Sequence, residues 1–115
     1  DELFVEQFVT IGEGRKFLAA LVVPNFAILE EYCRKNGISF TAREDLVAKT
    51  EIVKLDEDIV ARRTQSLGRV EQIKKITLLT RELTQEGGEL TPTMKLKRKA
   101  IDQKYSREIE QMYSE

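Results

Sequence analysis

Two rhythms of apolar and polar positions divide the chain into elements. The stretch LFVEQFVTIG is rich in Phe, Val and Ile, residue types that suit a pleated, half-buried surface. Phe4 and Phe8 share one parity; Val5, Val9 and Ile11 share the other. Both faces of this strand are therefore expected to be at least partly covered. Gly12-Glu13-Gly14 marks a turn. KFLAALVVP then reads as a second strand, apolar on both faces and stopped by Pro24. Two strands joined by a short glycine turn predict an antiparallel hairpin.

The period changes after Pro24. Asn25 suits the cap of a helix through Phe26, Leu29, Tyr32 and Cys33, with Gly37 as the residue just past its end. Thr41-Ala-Arg-Glu44 matches a capping box and opens a helical stretch with Leu46 and Val47, broken near Thr50. A further helix carries Val53, Ile59, Val60 and Leu67 and breaks at Gly68. Its many charges read as a solvated face. VEQIKKITLLT returns to strand, with Ile73, Ile76, Leu78 and Leu79 as apolar members and Lys74 and Lys75 at an exposed start. QEGGEL is a loop. The last helix begins at Leu96 or Lys97, and Ile101, Tyr105, Ile109 and Met112 form one apolar stripe on it. The order β-β-α-α-α-β-α predicts an α+β fold. Its core is a small three-stranded mixed sheet, the N-terminal antiparallel hairpin plus one later strand, packed with helices in a single domain over residues 1–115.

Composition narrows the chemistry. With 115 residues and 41% apolar content, the chain can build one small core. No apolar run approaches the ~20 residues of a membrane span. Net charge is −1 with 34% charged residues, which gives no general reason to bind polyanions. The absence of histidine removes Ser-His and Cys-His nucleophile pairs and histidine-ligated metals. The single Cys33 leaves no internal disulfide and no thiolate zinc cluster; it reads as a helix cysteine compatible with a reduced cytosolic setting. The chain opens DELFVEQF, with neither Met nor a basic-then-apolar leader. That start reads like a cut inside a longer protein, and a processed terminus would look the same.

One segment stands apart: EGGELTPTMKLKRKAID places Lys95, Lys97, Arg98 and Lys99 directly after a Gly- and Pro-containing turn. Three readings compete. The cluster is a solvated helix start, although a helix N-terminus favours acids and three cations there oppose the macrodipole. Or it is a nucleic-acid patch, joined by Lys74 and Lys75, although no exposed aromatic pair or groove-reading motif accompanies it. Or Lys95, placed before the helix on the loop after Pro92, is a catalytic cation. In water an ammonium ~4 Å from an anion gains only about 1 kcal/mol. In a closed, water-poor site the same contact supplies ~3–4 kcal/mol to a transition state. So small a chain cannot enclose such a site alone, so this reading needs a partner domain.

GGELTPTMKLKRKAID resembles the C-terminal end of long-chain acyl-CoA synthetases, the AMP-forming fatty acid–CoA ligases. Their adenylate-forming superfamily ends in a Gly-Lys-x-x-Arg motif with a catalytic lysine. The matching residues are Lys95-Leu-Lys-Arg98, with Met94 in place of Gly, similar to the long-chain branch's Thr-Pro-Thr-x-Lys form. IGEGRKFLAALVVPNF resembles the branch's hairpin and VEQIKKITLLT its strand before the catalytic loop. The three matches run in order along the whole chain.

The resemblance implies a two-step reaction. ATP and a fatty acid form an acyl-adenylate with Mg2+ and release pyrophosphate; CoA thiol then displaces AMP. A large N-terminal domain, absent here, binds ATP and the acyl chain. The present domain would be a mobile lid with one pose per step, inactive on its own and holding no cofactor tightly. Lys95 would stabilise the negative charge developing around the attacked α-phosphate. Lys97, Arg98 and Lys99 would attract CoA phosphates or the partner domain, with Arg98 first a fold or surface residue. Arg15 and Lys16 read as hairpin surface and Glu13 as turn. No metal ligand and no nucleic-acid partner are expected in this chain. The complete enzyme would be cytoplasmic, with peripheral membrane contact. An exposed apolar patch on the hairpin would let the isolated chain self-associate. A freestanding interaction or weak nucleic-acid-binding module using residues 95–99 is the alternative.

Overall fold

A computed structural model describes residues 4–66 and 73–114. Its elements are β1 (Val5–Ile11), β2 (Leu18–Pro24), α1 (Phe26–Lys35), α2 (Arg43–Ala48), α3 (Thr50–Ser66), β3 (Ile73–Leu78), α4 (Arg98–Lys104) and α5 (Ser106–Tyr113). The fold is the expected α+β arrangement around a three-stranded sheet of order β1-β2-β3. β1 and β2 pair antiparallel, β2 and β3 parallel, so the sheet is mixed.

β2 is the central strand, and its sequence shows why. Every residue from Ala19 to Pro24 is buried, and the two parities of 19–23 feed opposite faces. Ala20 and Val22 pack with Phe26, Leu29, Leu46, Ile52, Ile59 and Val60 from α1 to α3. Ala19, Leu21 and Val23 pack with Leu79, Leu83, Leu90, Ile101, Ile109 and Met112, under α4 and α5. Helices therefore cover both faces, which is how an apolar two-sided strand is kept from water. Truncating Leu21 or Leu29, each essentially inaccessible, would cost about 2–5 kcal/mol.

Several local expectations are revised. Parity alone groups Val5 with Val9 and Ile11, yet Val5 lies in the α1–α3 core and the other two lie opposite. A register shift between Val5 and Gln7 inserts the extra residue that reverses the alternation. The capping-box match at Thr41 does not make Thr41 the N-cap. Ala42 occupies that position, without a side-chain cap, and the Asp45 carboxylate reaches back to accept the Thr41 N–H at 3.0 Å. The single last helix is two, divided at Tyr105, where φ −109° and ψ 25° leave the helical region. The stripe survives because Ile109 still donates its N–H to the Tyr105 carbonyl at 2.9 Å. Leu67 and Gly68 lie outside the described residues, as does the stretch 70–72 of the third strand's motif.

Other local signals hold. Asn25 caps α1, accepting the Ile28 N–H at 3.3 Å, and Gly37 takes the left-handed φ of 68° just past the helix end. Gly14, at φ 71°, lets the hairpin turn close through Arg15 N–H to the Gly12 carbonyl at 3.0 Å. Among the described residues the exposed large apolar side chains are Met94 and Leu96. They lie after β3 and not on the β1–β2 hairpin, where an exposed apolar patch would have allowed self-association.

Candidate functional site

The lysine segment is a second, smaller hairpin standing between β3 and α4. Leu90 and Leu96 form an antiparallel bridge. The Thr91 N–H donates to the Lys95 carbonyl and the Lys97 N–H to the Glu89 carbonyl, each at 2.8 Å. Thr91-Pro92-Thr93-Met94 forms the turn, closed by the Met94 N–H to the Thr91 carbonyl at 2.8 Å. Pro92 presets the backbone angle of the turn's second residue. The Thr91 hydroxyl accepts the Lys95 N–H at 3.0 Å and bonds the Thr93 hydroxyl at 3.1 Å. Gln85 Nε2 donates to the Pro92 carbonyl at 3.3 Å and to Met94 Sδ at 3.2 Å. These links stiffen a tip that is otherwise in solvent.

Met94 stands in a backbone conformation that favours glycine. Its φ of 66° makes it the non-glycine residue in the left-handed region among those described. Glycine adopts that conformation without steric cost; a methionine there costs about 1 kcal/mol. Its side chain, 61% exposed, packs on little besides Gln85. Lys95 follows immediately. It is exposed, and its ammonium forms no ion pair with the described residues.

The neighbouring cations have separate surroundings. Lys97 is the N-cap of α4, and Lys99 stands exposed in its first turn, which carries no acid. Arg98 turns to the sheet, where Nη1 donates to the Thr10 carbonyl at 2.8 Å. It lines an open cleft of about 240 Å³ with Glu13, Arg15, Asp102, Ser106 and Glu110. Arg15 is paired there with Glu110, which is held below the usual carboxylate range by the guanidinium's hydrogen bond and charge. Arg15 also lies 4.8 Å above the Tyr113 ring, and the Tyr113 hydroxyl donates to the Phe17 carbonyl at 2.7 Å. This side of the cluster fastens the β1–β2 turn to α5. The four cations are thus close in sequence, but Arg98 is drawn to the sheet while Lys95, Lys97 and Lys99 stand in solvent.

Sequence reasoning missed two buried acids. Glu89 is 1% exposed. Its Oε1 accepts the Thr84 N–H at 2.8 Å, and its Oε2 is paired with Lys104 Nζ. Burial pushes the carboxyl up, but the Lys104 ammonium and the Thr84 N–H outweigh it and hold Glu89 below the ordinary value. Lys104 lies 15 positions along the chain and beyond a turn, so no helical spacing could announce the pair. Asp56 is 0% exposed and neither of its oxygens finds a hydrogen-bond partner among the described residues. Burial raises its pKa to about 7. A signal existed: Asp56 falls four residues after Ile52 and three before Ile59, on the apolar stripe of α3. No cluster of His, Cys, Asp or Glu among the described residues is arranged to hold a metal. No helix among them is long and apolar enough to cross a membrane.

Relatives place the geometry in a family. Over 106 residues the chain is 38% identical to a putative fatty-acid–CoA ligase, fadD11, of Mycobacterium tuberculosis, covering 92% of this chain and 18% of that protein. Over 113 residues it is 33% identical to long-chain-fatty-acid–CoA ligase 6 of Homo sapiens, covering 96% of this chain and 16% of that one. The chain thus spans less than a fifth of these relatives' length. Among solved structures, the adenylation domain of a carboxylate reductase from Mycobacterium chelonae superposes with a TM-score of 0.74 at 22% identity, covering 97% of this chain and 16% of that one. The chain therefore shares its fold with one part of that solved structure. The family description "AMP-binding enzyme C-terminal domain" matches residues 1–115, and the chain belongs to that family.

Proposed function

We propose that the chain is the C-terminal lid of an AMP-forming long-chain fatty acid–CoA ligase, and that Lys95 is its catalytic residue. The observation that carries this reading is the setting of Lys95: an exposed ammonium, unpaired among the described residues, on a hairpin closed by the N–H groups of Thr91, Met94, Lys95 and Lys97. A flexible surface lysine gains little from an anion in water. One held in a fixed place meets the reacting phosphate with little reorganisation once a second domain closes over it. The relatives' names supply the substrate class.

In this reading the lid closes on the N-terminal domain with ATP and fatty acid in place. Lys95 stands by the α-phosphate as the carboxylate oxygen attacks and pyrophosphate leaves, and its positive charge offsets the charge gathering on the nonbridging oxygens. Mg2+ with the ATP would supply charge neutralisation at the phosphates, and no residue of this chain is assigned to hold it. The lid then turns to its second pose for the displacement of AMP by CoA thiol. Lys97 and Lys99, exposed at the start of α4, attract the CoA phosphates or the partner domain. Arg98 contributes less, since its guanidinium is engaged with Thr10. The 115-residue chain alone has no ligase activity, and the complete enzyme works in the cytoplasm.

The test is ATP-dependent acyl-adenylate formation by the full-length protein carrying Lys95→Ala. The expected rate is lower by about 100- to 1,000-fold, the usual loss when one charge-stabilising group is removed. An undiminished rate would reject the role.

A further inference from the structure

Lys95 is exposed, so what aims it must lie beneath. The hairpin that carries it is rooted at Glu89, and Glu89 joins three segments. Its backbone carbonyl accepts the Lys97 N–H at 2.8 Å, closing the open end of the hairpin. Its Oε1 accepts the Thr84 N–H at 2.8 Å, tying in the loop that follows β3. Its Oε2 pairs with Lys104 at the end of α4, and the same ammonium lies 3.4 Å from the Gly87 carbonyl. The Thr84 carbonyl answers by accepting the N–H groups of Glu89 and Leu90 at 3.1 and 3.2 Å.

The space around the carboxylate is shaped for it. A Cβ on Gly87 would stand 2.5 Å from Oε1 and 2.8 Å from Oε2, closer than side-chain carbons approach, so the glycine keeps the seat open. Only the carboxylate is buried, with its side chain 2% exposed against 47% for Lys104; a buried acid that keeps its charge needs such a partner, and the pair and the Thr84 N–H together hold that carboxylate in one orientation. Strain points to the same place. Met94 is held in the left-handed region one residue before Lys95, and such a conformation persists only where its surroundings over-determine it.

We infer that Glu89, locked by Lys104, is a positioning residue for Lys95: it anchors the base of the hairpin so that the tip presents the ammonium in one direction. The inference rests on the proposed role of Lys95. Glu89 touches no substrate; it acts through the backbone it fastens.

Two measurements test this separately from the ligase reading. In the 115-residue chain, 15N order parameters report the hairpin directly. The rigid value of about 0.85 at Thr93–Leu96 should fall below about 0.6 in Glu89→Gln, with α1 unchanged. Should Glu89→Gln fail to fold, the neutral double substitution Glu89→Gln/Lys104→Gln and the milder Gly87→Ala, which crowds the carboxylate, give the same readout. Order parameters unchanged at the tip in the folded variants would overturn the inference.

In the full-length protein, Glu89→Gln should slow acyl-adenylate formation by about 10-fold and spare thioester formation from supplied acyl-adenylate. The same substitution in a Lys95→Ala background should add nothing, because its effect passes through the missing ammonium. An effect of equal size in both backgrounds would also overturn the inference. If Lys95→Ala proves selective for the first step while Glu89→Gln is silent, the positioning role fails and the lysine's role stands. If Lys95→Ala is silent, the ligase reading of the site fails, whatever the order parameters show for the hairpin.

Discussion

Two acids are buried on opposite sides of the central strand, and they have opposite fates. Asp56 projects from the apolar stripe of α3, with no hydrogen-bond partner among the described residues, and burial lifts its pKa to about 7. Glu89 is equally inaccessible to solvent but lies nearer the surface, where Lys104 and the Thr84 N–H keep it ionised and below its ordinary value. Burial alone does not set the charge of a carboxylate; the donors that meet it do. The side with the partnered acid carries the lysine hairpin. The other side is core with one acid in it.

The contrast sharpens most at Asp56. Its folded pKa is raised above the unfolded value, so its contribution is fully favourable below about pH 4 and is lost as pH rises through about 7. Asp56→Leu should therefore stabilise the chain at pH 8 by roughly 2–4 kcal/mol, which raises Tm by on the order of 10 °C. It should do little at pH 4. Calorimetry at the two pH values checks this, and a Tm that falls at pH 8 would mean the carboxylate has a partner.

Glu89 supplies the opposite limb. Its folded pKa is lowered, so its contribution is present above the ordinary glutamate value of about 4.3 and disappears as pH falls through its own lower value. Together the two acids predict greatest stability near pH 4 to 5, below the usual range. Glu89→Gln should flatten the acid limb in urea titrations and leave the limb between pH 4 and 7 unchanged. A flattening of the second limb would mean the assignments are exchanged.

The smallest effect belongs to the tip. Met94→Gly removes a left-handed non-glycine residue and should relieve up to about 1 kcal/mol of strain, partly offset by the freedom glycine gains in the unfolded chain. Thermal unfolding is expected to move by only a few degrees. A clear loss of stability would show that the methionine side chain, through Gln85, holds the turn more strongly than its exposure suggests.

Much of this architecture is legible in the sequence because it depends on local signals. The two-sided apolar run at Ala19–Val23, Asn25 before a helix, and Gly14 and Gly37 at turns each act within a few residues. The exposed position of Lys95 just past the Pro92 turn was also legible. What stayed hidden depends on contacts that spacing does not encode. The bulge at Val5–Gln7 reverses a parity without changing composition. The break at Tyr105 leaves an unbroken apolar stripe. Glu89 meets Lys104 only after the chain has turned back on itself, and Arg98 leaves its basic neighbours for a carbonyl 88 residues earlier. Asp56 was the exception, since an acid on an apolar stripe can be noticed without coordinates.

The most direct test of the account is a pair of single-turnover rates in one preparation of the full-length protein with Lys95→Ala. One is acyl-adenylate formation from fatty acid and ATP; the other is thioester formation from supplied acyl-adenylate and CoA. An ammonium held out for the first pose predicts a loss of about 100- to 1,000-fold in the first rate and a second rate within about threefold of the unmodified protein. Equal losses in the two rates, or none in either, would contradict it.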